Sequence, residues 1–145
     1  MQIFVDADAC PVKEEAAKVA ARHGLVIHYV SNSLMRLPFG DNVKRVVVSD
    51  GADAADNWIA EQCAAGDIVV TAGIPLASRA IKKGAMAISH VGKPFTQDSI
   101  GMALAMRDLM SQVRETGEMR GNNPVFTPRD RSNFLQGLEN FVQSS

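Results

Sequence analysis

The sequence is short of cysteine, of net charge and of long apolar runs, and each shortage excludes a class of protein. Its two cysteines, Cys10 and Cys63, have no CxxC spacing and lie in no Cys/His cluster, which excludes a zinc site of that type. A formal net charge of −1 argues against a protein that coats nucleic acid by charge alone. No apolar run approaches the ~18 residues that a membrane span needs. The N-terminus shows no basic segment followed by an apolar stretch and a small-residue cleavage site, so the expected location is the cytoplasm, with no membrane partner. There are no repeats and no low-complexity tracts.

What is present describes a globular chain. Hydrophobic content is 46% and charged content 21%, and 145 residues suffice to bury a core without metal or disulfide staples. The expectation is a single domain over 1–145. Charge is unevenly spread: residues 1–70 hold six Lys+Arg and ten Asp+Glu, and residues 71–145 hold nine and six. An acidic front and a basic back would suit a metal site beside a phosphate-binding surface, although such asymmetry also arises by chance.

Strand and helix signals alternate along the first two thirds. "IFV" reads as a short interior strand, and "CPVKEEAAKVAARHG" as a helix with Pro11 at its first position, a stripe of Val12, Ala16, Val19 and His23, and Gly24 as its stop. "LVIHYV" and "KRVVV" read as strands. "DAADNWIAEQCAAG" is a helix with Asp53 as N-cap and Asp56 in its first turn, and Cys63 on its core face. "DIVV" is a strand, "IPLASRAIKKG" a helix opened by Pro75, and "AMAI" a fifth strand. Short strands separated by helices predict an α/β fold with a mostly parallel sheet of about five strands, flanked by helices. After residue 95 two helices are expected: one carrying Met102, Met106, Leu109 and Val113, and one capped by Thr127 with Pro128 and Asp130 behind it. Between them "ETGEMRGNNPVF" reads as a loop.

The acids at the strand ends carry the chemical signal. In an open parallel sheet, ligands bind outside the carboxyl ends of the strands. Asp6 and Asp8 lie there, and their side chains share one side if the chain stays extended through them. Asp53 and Asp56, three apart on a helix, follow another strand to the same edge. Carboxylates at a few ångströms repel unless protonated or bridged by a cation. With no His or Cys beside the acids, the natural cation is Mg²⁺ or Mn²⁺, which can polarise a phosphoryl oxygen and lower the pKa of a bound water. For Asp53 and Asp56 the roles of N-cap and first-turn acid would also suffice. Asp50 reads as a turn residue. His23, His28 and His90 show no ligand spacing and are expected on the surface or in the core. Cys10 stands at a helix start but has neither a nearby His nor an arginine-bearing phosphate loop, which speaks against a catalytic thiol.

The segments "DADACPVK", "DAADNWI", "GDIVVT" followed by "IPLA", "MRDLM", and the late Asp130–Arg131 pair together resemble the YaiI/YqxD family of bacterial proteins, from Met1 to about Phe141. That family is grouped by resemblance with the PIN-like superfamily. The resemblance implies a PIN-like three-layer α/β fold and an acidic cluster of Asp6, Asp8, Asp53 and Asp56 that holds Mg²⁺ or Mn²⁺ and cuts RNA or DNA. One position departs: Gly73 stands where relatives commonly carry an Asp. The family's Thr-Gly-Gly-Pro segment is likewise altered, to "MRGNNP".

The leading expectation is therefore a metal-dependent nuclease or phosphodiesterase with Asp6, Asp8, Asp53 and Asp56 as catalytic and metal-binding residues, acting on RNA or single-stranded nucleic acid. Gly73 keeps open a degenerate nucleic-acid- or protein-binding module. A phosphatase of haloacid dehalogenase type is a third reading, with Asp6 as nucleophile, Asp8 as acid/base and Ser31 after the second strand. Ala9 and Cys10 depart from that pattern.

Overall fold

The structure is a computed structural model that describes residues 1–38, 40–49, 53–102, 105 and 126–144. Six strands form one sheet: β1 Gln2–Asp6, β2 Val26–Ser31, β3 Val43–Val47, β4 Ile68–Val70, β5 Met86–Ile88 and β6 Pro94–Phe95. Helices fully within the described residues are α1 Lys13–Arg22, α2 Ala54–Gln62, α3 Ile74–Lys82 and α4 Pro128–Ser144, with a 3-10 turn at Ala7–Ala9. The strand order is β3-β2-β1-β4-β5-β6. All neighbours pair in parallel except β5 and β6.

The sheet therefore has six strands where sequence periodicity indicates about five. β6 is two residues long and carries no alternation to read. Its Pro94 fits an edge strand, where a missing N–H breaks no interior ladder.

The alternation of β1 divides the core into two layers. Ile3 and Val5 share one face with Ile27, Tyr29 and Val70, and are covered by Ala16, Val19 and Ala20 of α1 and Phe134 and Leu138 of α4. Phe4 points to the other face, where Val30 and Val69 meet Ile59 of α2 and Leu76 and Ala80 of α3. Helices on both faces complete the α/β arrangement predicted from sequence. Cys63 is buried in the second layer.

α1 starts at Lys13 and not at Pro11. The 3-10 turn closes first, through a bond from Cys10 N–H to Ala7 O (3.3 Å), and Val12 occupies the N-cap position. α4 opens as its sequence indicates: Asp130 N–H donates to Thr127 Oγ1 (3.1 Å) and Thr127 N–H donates to Asp130 Oδ2 (3.0 Å), a reciprocal cap. The helix expected before it begins with helical backbone over 97–102. Met106, Leu109 and Val113 of its stripe, Asp50, and the "ETGEMRGNNPV" loop lie outside the described residues. Among the described residues no helix is long and apolar enough to cross a membrane.

Candidate functional site

β1 and β4 are neighbours, and the chain leaves them in opposite directions across the sheet. Such a reversal leaves a crevice at the carboxyl ends of the two strands, because the connections that follow diverge to either side. Asp6 is the last residue of β1, and Thr71 follows the last residue of β4. Thr71 Oγ1 donates to Asp6 Oδ2 across this junction (3.2 Å) and accepts from Gly73 N–H (2.9 Å).

A pocket of about 270 Å³ opens there, with Asp6, Asp8, Asn32, Asp56, Gly73 and His90 on its walls. Asp8 does not reach it along an extended strand. The chain bends into the 3-10 turn directly after Asp6, and Asp8 is instead oriented by Asn32 N–H, which donates to both of its carboxylate oxygens (3.0 and 3.3 Å). Asn32 is itself tied down, its Nδ2 donating to Ser49 O (2.8 Å). Asp56 comes from the first turn of α2. Asp53 occupies the N-cap position of α2 but makes no side-chain capping bond, and it is not among the pocket residues. The structure thus brings Asp6, Asp8 and Asp56 to one pocket and leaves Asp53 behind Asp56.

The electrostatics link all four acids. Burial raises the Asp6 pKa above its ordinary value; the charge of Asp56 adds to the rise, the Thr71 bond opposes it, and Asp8 adds again. The Asp56 carboxyl is raised by burial and then by the charge of Asp53, against the opposing charge of Arg79. Asp67, at the opposite edge of the sheet, shows how a structural acid is satisfied. Its two oxygens accept the backbone N–H groups of Gln2 (2.9 Å) and Ala64 (3.0 Å). Asp6 has one hydroxyl in place of two amides.

The charged donors at the pocket are the carboxylates of Asp6, Asp8 and Asp56, which suit a hard divalent cation. Among the described residues, no three His, Cys, Asp or Glu side chains are arranged to hold one ion directly. The set fits an ion that keeps several of its waters and takes one or two carboxylates, as Mg²⁺ commonly does, and does not fit a cage made wholly of protein.

The other candidates have structural roles. The Cys10 thiol is buried and pushed up to about 11, mainly by that burial, so it is not a thiolate nucleophile at neutral pH. Ser31 is buried and its hydroxyl donates to Ser33 O (2.7 Å), which removes a support of the phosphatase reading. Of the basic residues in the second half, Arg131 is paired with Glu15 (3.2 Å) and Arg79 donates to Asn57 Oδ1 (2.8 Å). His23 meets Glu139 (2.8 Å), and His28 stacks on Phe4. His90 is different, since it lies on the pocket wall. Residue pattern gives His90 only a place on the surface or in the core, and gives Asn32 and Thr71 no role. All three stand one or two places beyond a strand's carboxyl end, and that position was the available signal.

Comparison with known proteins agrees on family. The family model described as "Uncharacterized BCR, YaiI/YqxD family" matches residues 4–144. A UPF0178 protein of Parvibaculum lavamentivorans is 62% identical over 143 residues, covering 99% of this chain and 94% of the relative. A UPF0178 protein of Rhodospirillum rubrum is 56% identical over 145 residues, covering 99% and 97%, and one of Agrobacterium fabrum is 56% identical over 142 residues, covering 98% and 93%. No solved structure matches the chain. On this match, which runs over nearly its whole length, the chain belongs to the YaiI/YqxD family.

Proposed function

We propose that the protein is a metal-dependent hydrolase of phosphodiesters, a nuclease acting on RNA or single-stranded nucleic acid with Mg²⁺ or Mn²⁺. One observation carries this reading. Asp6 is half-buried at the strand-order reversal, its pKa is raised by burial and by the neighbouring carboxylates, and a single hydroxyl opposes that rise. A cation is the economical remedy for such a site, and a phosphodiester is the anion that a cation there would recruit.

In this scheme Asp6 and Asp8 would hold the ion, Asp56 would face its waters, and Asp53 would add negative potential through Asp56. A bound divalent ion would polarise the phosphoryl oxygen and acidify a water. Thr71 holds Asp6 in place, and Asn32 N–H does the same for Asp8. A cleavage assay on single-stranded and structured RNA with Mn²⁺ or Mg²⁺ tests the reading. Turnover should appear only with the cation and be lost in Asp8→Asn; activity unchanged in that variant would overturn it.

Gly73 favours a second reading, a binding module with the same pocket and little or no turnover. It lines the pocket without adding a carboxylate. Nucleic-acid binding without cleavage, in the presence of Mn²⁺, would select this alternative.

A further inference from the structure

His90 is one of the residues that line the acidic pocket, and its ring Nε2 is buried with no hydrogen-bond partner among the described residues. A buried, unpaired polar atom costs free energy that folded chains seldom leave unrecovered, so each instance calls for a reason. No other described residue uses this nitrogen. The acids beside it are held by other groups, Asp6 by Thr71 and Asp8 by Asn32.

The backbone under His90 is held firmly. Ser89 N–H donates to Lys93 O (2.9 Å), Gly92 N–H to Ser89 O (3.1 Å), and Lys93 N–H to Ser89 Oγ (3.1 Å), closing a tight turn just beyond β5. That turn is pressed onto α4 at two glycines. A Cβ on Gly92, whose φ is +85°, would stand 2.2 Å from Asn133 O, and one on Gly137 would stand 2.8 Å from Gly92 O. The main chain is therefore fixed while the ring keeps its terminal torsion, which is broad for histidine. That torsion is the freedom through which the ring would meet an occupant of the pocket. Burial, and then the charge of Lys13, keep the ring pKa below its ordinary value. Neutral imidazole carries one N–H donor and is less strongly drawn to the carboxylates than imidazolium would be.

We propose that His90 is a substrate-contacting residue whose ring N–H donates to a non-bridging oxygen of the phosphodiester. This rests on the hydrolase reading above, since it takes the occupant to be a phosphate held beside a cation. A pocket walled by three carboxylates needs a neutral or positive donor to tolerate the part of the anion that the ion does not cover, and His90 supplies one.

The test is NMR of the full chain with ¹⁵N-labelled histidine, titrated with Mg²⁺ alone and then with Mg²⁺ plus a phosphorothioate-linked dinucleotide. The His90 ring nitrogens should stay in place with Mg²⁺ and shift when the dinucleotide is added. In parallel, His90→Leu should weaken dinucleotide binding by about tenfold to a hundredfold, the range for a hydrogen bond to a charged group, while leaving Mg²⁺ affinity unchanged. His90→Gln, which keeps an N–H donor, should recover part of the loss. Dinucleotide binding that leaves the His90 nitrogens unmoved overturns the proposal and spares the hydrolase reading. A coordination shift with Mg²⁺ alone also overturns it, by making His90 a metal ligand. If neither Mg²⁺ nor the dinucleotide binds, both readings fall. The wild-type NMR result decides the matter even if His90→Leu does not fold.

Discussion

Thr71 Oγ1 donates to Asp6 Oδ2 at 3.2 Å and so joins the carboxyl ends of β1 and β4, the two strands between which the sheet order reverses. The bond fixes the carboxylate without neutralising it. A hydroxyl lowers the Asp6 pKa, but burial and the charge of Asp56 outweigh it.

A raised carboxyl pKa has a definite consequence for stability. The folded chain holds the Asp6 proton more tightly than the unfolded chain does, so this group's contribution falls as pH rises from the ordinary value of 3.8 through the folded pKa, and the loss persists above it. In cation-free buffer at neutral pH, Asp6→Asn should therefore melt at a higher temperature than the wild type. The difference should shrink as pH falls through that window. Thermal melts of both proteins over pH 3–8 check the sign.

Gly73→Asp should be tolerated. Gly73 has φ −85° and sits at the N-cap position of α3, and among the described residues an added Cβ would meet only Thr71 Oγ1, at 3.3 Å. Aspartate is a good N-cap, which offsets part of the added repulsion. With one more carboxylate on the pocket wall, Mn²⁺ affinity measured by calorimetry should rise on the order of tenfold.

Cys10, pushed up to about 11, exists as thiolate to roughly one part in a thousand at pH 8. Alkylation of the native protein by iodoacetamide at pH 8 should be slow at this position and become fast when the chain is unfolded in urea. Mass spectrometry of the labelled peptides reads the difference directly.

Gly137→Ala sets helix propensity against packing. In an open helix the change would stabilise by about 1 kcal/mol. Here the new methyl would stand 2.8 Å from Gly92 O and 2.9 Å from Ile88 Cδ1, so overpacking of about 1–3 kcal/mol should exceed that gain and the variant should be net destabilised. A lowered urea midpoint checks it. An equal or raised midpoint would mean that the turn carrying His90 is not pinned to α4.

The alternating strands and helices were legible because each strand is a compact apolar run and each helix carries its own start and stop signals, as Thr127 and Asp130 illustrate. β6 was not, because two residues have no period. The convergence of the acids was legible only in outline. Position after a strand brought Asp6 and Asp8 to the right edge, but the expected extended geometry gave way to a 3-10 turn, and Asp8 reaches the pocket through a backbone amide of Asn32. Asp53 and Asp56 share a helix turn, yet only Asp56 lines the pocket, a distinction set by where α2 docks on the sheet and invisible in a spacing of three. His90 is expected only on the surface or in the core, because a lone histidine has no local pattern, yet it lines the pocket. Its meaning comes from the β5 register and from the closeness of α4, both long-range facts.

On the hydrolase proposal, Asp6, Asp8 and Asp56 would share a hydrated divalent ion beside the Thr71 bond. A crystal grown or soaked with millimolar Mn²⁺, with anomalous differences recorded near the manganese edge, tests it most directly. The expected result is a single strong peak in the pocket, with direct bonds to one or both of Asp6 and Asp8 and waters between the ion and Asp56. A pocket without anomalous density, or manganese bound only elsewhere on the surface, would contradict it.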